Sequence, residues 1–596
     1  MFINVSILIY IRYADIFIHE NSFIFIYCLG IIKLERLAMV NKIISEEYID
    51  LLVENSTVSL YNAGNDVTPI NSTHSLVNVP AQSDKCILGK KYPYHVFPSI
   101  LTLESFISLE EAGVQRVRNS PLLGYTGIGI IIGIIDTGIE YTHEAFLNPD
   151  GTTRILSIWD QTINDGTPPP TGLTYGAEYN QDIINEALQS DDPYSVVPSR
   201  DEIGHGTMIA GIAGGNTKES ANFSGVVPEC KFIVVKLKPA KKVNTAILSL
   251  PPDKLCYQES DIMFGVRYIL SIIERLRRPL VLCIAAGTSQ AGHDGIGATS
   301  NYLKAVTLMP RNCVVISAGN EGNAKRHYYE KIKTSQTPSI FELKISDKDK
   351  SFYMEIWHQA LNAITIDITT PSGEYMSPIE PTLKSCLQFN LKNNFSVVWV
   401  NNIISEAETG DQLILIRFEN PEAGIWKFGI YNKETITMDI HAWLPSGNII
   451  SNETFFIKSS SDVTITSPGN ASYPITVTAY DPVSGEIAAN SGRGYTRSGF
   501  VKPDLSAPGV NLVCPALNNS YCTVSGTGAA AAFTAGIASI VLDWGVVSGN
   551  FTNINGYDIK KLLIRGAKRS ADITYPNNIW GYGKIDAYGV FEKLRE

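Results

Sequence analysis

The sequence predicts an α/β fold built on a parallel β-sheet with helices on both faces, interrupted by an all-β segment. Apolar, β-branched runs such as 'GIGIIIGIIDTG' end at glycine-containing turns, which is typical of strands buried on both faces. Helical stretches such as 'SDIMFGVRYILSIIERLRR' separate these runs, so right-handed crossovers are expected. Across residues 325–460 apolar and polar positions alternate with period two, which predicts antiparallel strands.

Each predicted element has its own sequence signal. Four further runs predict strands of the same sheet: 'KFIVVKL', 'PLVLCIAAG', 'NCVVISAGN' and 'PITVTAY'. The stretch 'GTMIAGIAGG' predicts a helix, and 'SEEYIDLLVE' near the N-terminus favours a short one. Functional groups are expected in the turns after the strands, because sites in such sheets collect at the carboxyl ends.

Length and charge limit the possible function classes. The chain has 596 residues, which suggests two to four domains, and 44% of them are hydrophobic. Its formal net charge is −11, and the basic residues form no long cluster. A surface that follows a phosphate backbone is therefore not expected, and nucleic acid is excluded as a partner.

The cysteines give no pattern for metal or disulfide chemistry. The nine cysteines include no C-x-x-C pair, so neither a zinc site nor a disulfide framework is predicted. Most are interpreted as small buried thiols. A reducing or at least non-secretory compartment is expected. No metal and no cofactor are expected.

The N-terminal 38 residues are apolar but irregular. Arg12, Asp15, His19 and Glu20 interrupt them, so no run of about 18 apolar residues exists, and neither a membrane span nor a signal peptide is predicted. A second methionine follows at Met39. We hypothesise that translation starts there and that residues 1–38 are an artefact of start-site assignment.

Three phrases stand in the order of a catalytic triad. Asp136 lies in 'IIDTGI' at a strand end, and His205 lies in 'GHGTMIAGI', where a glycine-flanked turn enters a helix. The order Asp, His, nucleophile is known for serine hydrolases, in which a carboxylate orients an imidazole that deprotonates a hydroxyl. The third phrase, 'VSGTGAAAAFTAG', has Gly528 at the nucleophile position. Ser525 lies three residues earlier, on the strand side of the corner, and is not expected to substitute.

These phrases, with 'ISAGNEG', 'KPDLSAPGVNL' and 'WGYGKID', resemble the subtilisin-like serine proteases (subtilases, peptidase S8) from about residue 105 to 590. The resemblance implies that Asp136 and His205 are the triad aspartate and histidine and that Asn320 is the oxyanion-hole residue. Gly528 then replaces the serine. Ala285-Ala286-Gly287 stands where the family usually has Ser-Leu-Gly in the wall of the substrate cleft. This difference implies weaker binding in the cleft.

Within that family the chain resembles the Csp germination proteases of clostridial spores. The similarity rests on the all-β insert, on 'GTSQAGHDG' and on 'GTGAAAAFTAG'. In that group a prodomain precedes the subtilase domain and a jelly-roll domain interrupts it. The resemblance therefore implies a prodomain at 39–105, a jelly roll at 325–460, and a subtilase domain formed by 106–324 and 461–596.

The CspA-like and CspC-like members of that group are pseudoproteases. The resemblance implies an inactive homologue in the bacterial spore, made in the forespore or mother cell. It would regulate a partner Csp protease that activates a cortex-lytic enzyme, sense a germinant such as a bile acid or an amino acid, or do both. A weakly active serine endopeptidase is the alternative. Without a serine the prodomain is expected to stay attached and to occupy the cleft.

Overall fold

The computed structural model describes residues 41–61, 64–108, 124–333, 337–359, 362–392, 395–432 and 436–595. The chain forms two compact units, Met1–Ser45 and Glu46–Glu596. The described part of the first unit, residues 41–45, consists mainly of turns. All strands and helices named below belong to the second unit. The hypothesis about residues 1–38 lies outside the described residues.

The N-terminal region of the second unit is made mainly of strands, with short helical turns between them. The segment 'YIDLLVE' is a strand, so the predicted helix is wrong. It pairs along its whole length with β3, and this long-range pairing buries Ile49, Leu51 and Val53. The strands are β1 (Tyr48–Glu54), β2 (Asp66–Pro69), β3 (His74–Pro80), β4 (Ile100–Leu103) and β5 (Phe106–Ser108).

Strands and helices alternate in the next part of the chain, as the sequence predicts. The elements are β6 (Ile131–Asp136), β7 (Ile155–Asp160), β8 (Ala177–Asn180), α1 (Gln181–Gln189), α2 (Pro193–Val196), α3 (His205–Gly214), β9 (Lys231–Lys236), α4 (Lys242–Ile247), β10 (Tyr257–Gln258), α5 (Glu259–Leu276), β11 (Leu280–Ile284), β12 (Ala286–Gly287), α6 (Ala298–Leu308) and β13 (Asn312–Ser317).

The chain between residues 327 and 456 forms two antiparallel sheets. In order, they are β14-β23-β16-β21-β20-β19 and β18-β17-β22-β15-β24. Their buried faces share a hydrophobic core with β1 and β3. The strands are β14 (His327–Ile332), β15 (Ser339–Ile345), β16 (Ser351–His358), β17 (Thr365–Thr369), β18 (Tyr375–Ile379), β19 (Leu387–Asn390), β20 (Val397–Ile403), β21 (Gln412–Glu419), β22 (Gly424–Tyr431), β23 (Met438–Trp443) and β24 (Phe455–Phe456).

The C-terminal part returns to the α/β pattern. Its elements are β25 (Ile475–Tyr480), β26 (Leu505–Pro508), β27 (Leu512–Ala516), β28 (Ser520–Ser525), α7 (Thr527–Leu542), α8 (Gly556–Gly566) and α9 (Ala587–Arg595). In the part of the chain that the structure describes, the helical stretch Thr527–Val547 is long and apolar enough to cross a membrane, but 78% of its apolar window is buried within the fold. It is the central core helix, packed against β13, β25 and α3.

One eight-stranded sheet joins the two halves of the α/β pattern. Its order is β26-β25-β13-β11-β6-β9-β7-β8, and every neighbouring pair is parallel except β7-β8. The prediction of an α/β fold with a central parallel sheet is therefore confirmed. The carboxyl ends of β6, β11 and β13 open onto one edge of this sheet, and the candidate site lies there.

A disulfide corrects the interpretation of the cysteines. Cys86, in the N-terminal region, is bonded to Cys386, between β18 and β19. The two residues are 300 positions apart, so no local spacing could have predicted the bond. It joins the N-terminal region covalently to the all-β segment. Of the six free cysteines in the described chain, five are buried, in agreement with the rest of the prediction.

Candidate functional site

The structure brings together Asp136 and His205 as a buried pair. Asp136 is the last residue of β6 and His205 is the first residue of α3; each is only 2% exposed. The two side chains share a hydrogen bond of 2.7 Å between His205 Nδ1 and Asp136 Oδ1. Burial lowers the pKa of His205, but the charge and hydrogen bond of Asp136 outweigh this, so the pKa is raised.

The turn before α3 is held in place by Asp201. Its carboxylate accepts hydrogen bonds from the backbone nitrogens of Gly204 (2.8 Å) and Thr207 (2.9 Å). Gly204 has a φ of +87°, a conformation that glycine adopts without strain and that lets the chain turn into the helix. These contacts fix the imidazole of His205. Its other ring nitrogen, Nε2, is buried and has no hydrogen-bond partner among the described residues.

Gly528 and Asn320 form a pair of hydrogen-bond donors. Gly528 is the second residue of α7, and its backbone nitrogen lies 2.9 Å from the carbonyl oxygen of Glu104. Asn320 Nδ2 lies 2.7 Å from the same oxygen, and Asn320 Oδ1 accepts a hydrogen bond from the nitrogen of Thr527. Two donors at such distances from one carbonyl oxygen are the geometry of an oxyanion hole.

The chain's own segment β4 occupies the cleft as an extended strand. One of its edges pairs with β10 and the other with β12, both antiparallel. The nitrogen of Glu104 continues this pairing with a 3.0 Å hydrogen bond to the oxygen of Ala285. The wall residues Ala285, Ala286 and Gly287 pair with β4 through backbone atoms, so this pairing does not depend on their side chains. The weaker peptide binding expected from these residues stays a prediction.

Ser105 lies where a nucleophilic side chain would begin. A Cβ atom added to Gly528 would be 2.3 Å from Ser105 Oγ and 3.1 Å from the Cβ of Ala285. The hydroxyl of Ser105 is buried and has no hydrogen-bond partner in the described part of the chain. Gly528 therefore supplies no nucleophile, and its missing side chain leaves space for the side chain of Ser105. Ser525 does not replace the nucleophile, since its hydroxyl is hydrogen-bonded to Asn511.

Glu104 is the site residue that sequence reasoning missed. Its side chain is 3% exposed and enters a pocket beside β12, where Thr466 Oγ1 donates to it over 2.5 Å and the hydroxyl of Ser317 donates to its other oxygen. Burial raises its pKa to about 7, although the two hydroxyls act in the opposite direction. No motif marks Glu104 in the sequence, and only its position in the cleft reveals it.

A cavity of about 750 Å³ adjoins the Glu104–Ser105 bond and extends toward the all-β segment. Polar residues such as Asn323, Lys325, Asn448 and Asn490 line it together with apolar ones such as Phe455. Within the described ranges, no group of three or more His, Cys, Asp or Glu side chains could hold a metal ion. The groups that the site itself offers for chemistry are the Asp136–His205 pair and the two donors to the carbonyl oxygen of Glu104.

Comparisons with known proteins agree with this geometry. The subtilase family model, peptidase S8, matches residues 127–386 and 445–583. The structure of the CspB protease of Clostridium perfringens matches with a TM-score of 0.70 and 28% identity, over 80% of this chain and 97% of that one. C5a peptidase of Streptococcus pyogenes serotype M1 is 23% identical over 442 residues, 70% of this chain.

The curated relatives are longer proteins or match only in part. The chain spans about a third of the length of the streptococcal C5a peptidase, 34%. Serine protease AprX of Bacillus subtilis strain 168 is 33% identical, but over 144 residues, 21% of this chain and 31% of AprX.

Proposed function

Because the chain belongs to the subtilase family, we propose that it is a catalytically inactive subtilase, a pseudoprotease that acts by binding and not by cleavage. One observation carries this proposal: Gly528 has no side chain at the position facing the carbonyl group of Glu104. Asp136 can orient the imidazole of His205, and His205 can accept a proton, but acyl transfer also requires a nucleophile. Removing the serine of subtilisin lowers kcat by about 10⁶-fold.

The similarity to CspB supports a role in spore germination. In this proposal residues 39–105 form a prodomain that stays attached, and residues 325–460 are a jelly-roll domain. The protein would reside in the bacterial spore and would regulate a Csp-family protease that activates a cortex-lytic enzyme. The pairing of β4 in the cleft supports this role, because a cleft that keeps backbone pairing but has no nucleophile can hold a peptide segment without cutting it.

Hydrolysis by the purified chain tests the proposal. We expect no turnover of a fluorogenic peptide panel above the rate of the His205→Ala variant, which has an intact cleft but no base. An active subtilase assayed in parallel shows that the panel contains cleavable peptides. Turnover by the wild-type chain that His205→Ala abolishes would contradict the proposal and support the alternative, a weakly active serine endopeptidase.

A second role, the sensing of a small germinant, is supported by the cavity beside the cleft. Its volume of about 750 Å³ lies in the range of small-molecule sites, and Lys325 and several asparagines supply polar groups. Calorimetric titration of bile acids and amino acids onto the full chain tests this role. Saturable heat that the Lys325→Met variant reduces would support it, and the absence of heat with every compound would contradict it.

A further inference from the structure

Two cysteines face each other across the hairpin that leads to α7. Cys514 in β27 and Cys522 in β28 are directly opposite in the antiparallel register, and their sulfur atoms lie 3.7 Å apart. Opposite residues of such a pair have Cα atoms about 4.5–5.5 Å apart, which is within the span of a disulfide. The backbone therefore already has the spacing that a bond requires, and rotation of the side chains can bring the sulfur atoms to bonding distance.

The turn of this hairpin fixes the register that pairs the two cysteines. Asn518 and Asn519 have φ values of +62° and +51°, a conformation that asparagine tolerates and that hairpin turns use. Both backbone nitrogens also donate hydrogen bonds to the carboxylate of Glu140. A slip of one residue would move one of the cysteines to the other face, so the turn keeps their sulfur atoms together.

The two thiols differ in their access to solvent. Cys514 is buried, whereas Cys522 is partly exposed and can meet a small reagent. A hydrogen bond with Cys514 lowers the pKa of Cys522, while burial raises the pKa of Cys514. Cys522 is thus the thiol that reacts first, and Cys514 is the one that follows. The other free cysteines of the described chain are all buried: Cys230, Cys256, Cys283 and Cys313.

We propose that Cys514 and Cys522 are a site of reversible oxidation, which a small disulfide converts into a cross-strand bond. The thiolate of Cys522 attacks one sulfur atom of oxidised glutathione and releases the other half as a thiolate. Cys514, after losing its proton, attacks the Cys522 sulfur atom of this mixed disulfide and releases the second glutathione. The protein thiols give up two electrons and two protons, which the small disulfide takes up as it becomes two thiols. The site works in the same way whether or not the chain cuts peptides.

The hairpin packs against α3, the helix that carries the candidate histidine. Cys522 Sγ lies 3.8 Å from Met208 Sδ on this helix, and a Cβ atom added to Gly211 would lie 2.2 Å from the ring of Pro515. β28 also pairs with β5 and leads directly into α7. The bond draws the Cys522 sulfur atom toward Cys514 and changes its contact with Met208. Oxidation is therefore expected to alter the packing beside the candidate site.

Incubation of the folded full-length chain with oxidised glutathione tests the proposal. Chymotrypsin can cleave after Tyr521, between the two cysteines, so the new bond should appear by mass spectrometry as two linked peptides that dithiothreitol separates. In Cys514→Ser, Cys522 should remain a mixed disulfide with glutathione, and in Cys522→Ser, Cys514 should remain unmodified. Cys256→Ala, which removes a buried free cysteine elsewhere, is the matched control and should form the bond as wild type does.

The wild-type chain alone is enough to overturn the proposal. The absence of linked peptides, or their formation only when the reaction is carried out in urea, would contradict it. A mixed disulfide that persists at Cys522 would also contradict it, because Cys514 would then be unable to complete the exchange. Backbone amides of β28 should exchange hydrogen more slowly in the oxidised chain than in the reduced one, since the bond restrains opening of the hairpin. Equal exchange in the two forms would contradict the expected effect on the packing.

Discussion

The carbonyl oxygen of Glu104 lies 2.9 Å from the backbone nitrogen of Gly528, the position at which a subtilase would stabilise an oxyanion. Asn320 supplies the second donor, and the pair of Asp136 and His205 is hydrogen-bonded beside it. A peptide bond is thus held in an otherwise assembled site. The absence of one side chain separates this arrangement from a complete protease, and several consequences can be measured.

Restoring the serine should give at most slow cleavage within the same chain. In Gly528→Ser the new Cβ would lie 2.3 Å from Ser105 Oγ, so Ser105 must move before the new hydroxyl can reach the carbonyl carbon of Glu104. A misplacement of about 1 Å lowers a rate on the order of 10²-fold. We expect partial cleavage of the Glu104–Ser105 bond over hours, measured by intact mass, and no turnover of added peptides. Gly528→Ser/His205→Ala is the control and should stay uncut; rapid multiple turnover by Gly528→Ser would contradict this account.

A methyl group on Gly287 should displace Glu104 from its pocket. The added Cβ would lie 2.1 Å from Glu104 Oε1 and 2.4 Å from Thr466 Oγ1, and such overpacking costs about 1–3 kcal/mol. We expect Gly287→Ala to lower the free energy of unfolding by this amount in urea titrations. In a Glu104→Ala background the same change should cost less, because the clashing side chain is absent. Equal costs in the two backgrounds would show that the pocket does not hold Glu104.

The disulfide between Cys86 and Cys386 should retain the N-terminal region after cleavage. If the Glu104–Ser105 bond of Gly528→Ser is cut, the two fragments should separate on a gel only after reduction. Cys86→Ser alone should lower the free energy of unfolding by about 2–5 kcal/mol. Cys86→Ser/Cys386→Ser should be no less stable than either single variant, since the bond is already lost. Additive losses would show that the two cysteines are not bonded to each other.

The histidine pair of the all-β segment should make stability depend on pH. His327 Nε2 and His441 Nδ1 lie 3.0 Å apart, and both residues are buried. Burial, with the charges of Arg497 and His293, lowers the pKa of His441 to about 3. The folded state therefore keeps this histidine neutral, whereas the unfolded chain binds a proton below about pH 6.5. The free energy of unfolding should fall as pH decreases through the window from 6.5 toward 3.

The variant His441→Gln separates the contribution of His441 to the free energy of unfolding from that of carboxyl groups that titrate in the same pH range. Between pH 6.5 and 5 the free energy of unfolding of wild type should fall more steeply than that of His441→Gln. The difference should approach about 1.4 kcal/mol per pH unit, the value for one proton. Identical slopes for the two proteins would show that His441 is already protonated in the folded state.

The sequence predicted the features that arise from local patterns. The runs 'IIGIID' and 'NCVVIS' became β6 and β13 because strands buried on both faces need continuous apolar residues. The glycine-flanked phrases around His205 and Gly528 placed both residues at the starts of helices, as expected. These signals depend on neighbours in the chain and can be read without the fold.

Features that join distant segments could not be predicted in this way. The local pattern of 'YIDLLVE' favours a helix. The segment forms a strand because it pairs with β3, and tertiary contacts set that pairing. The pocket of Glu104 combines Ser317 and Thr466, which are hundreds of positions from Glu104 in the sequence. The disulfide between Cys86 and Cys386 also joins residues that are far apart in the sequence. Such contacts form only when the folded chain brings the distant residues together.

The mass of the purified wild-type chain, followed during prolonged incubation at neutral pH, tests the central claim most directly. The account predicts one species in which the Glu104–Ser105 bond remains intact, because no nucleophile faces the carbonyl group of Glu104. The appearance of a new N-terminus at Ser105, insensitive to added inhibitors of contaminating proteases and abolished by His205→Ala, would contradict it.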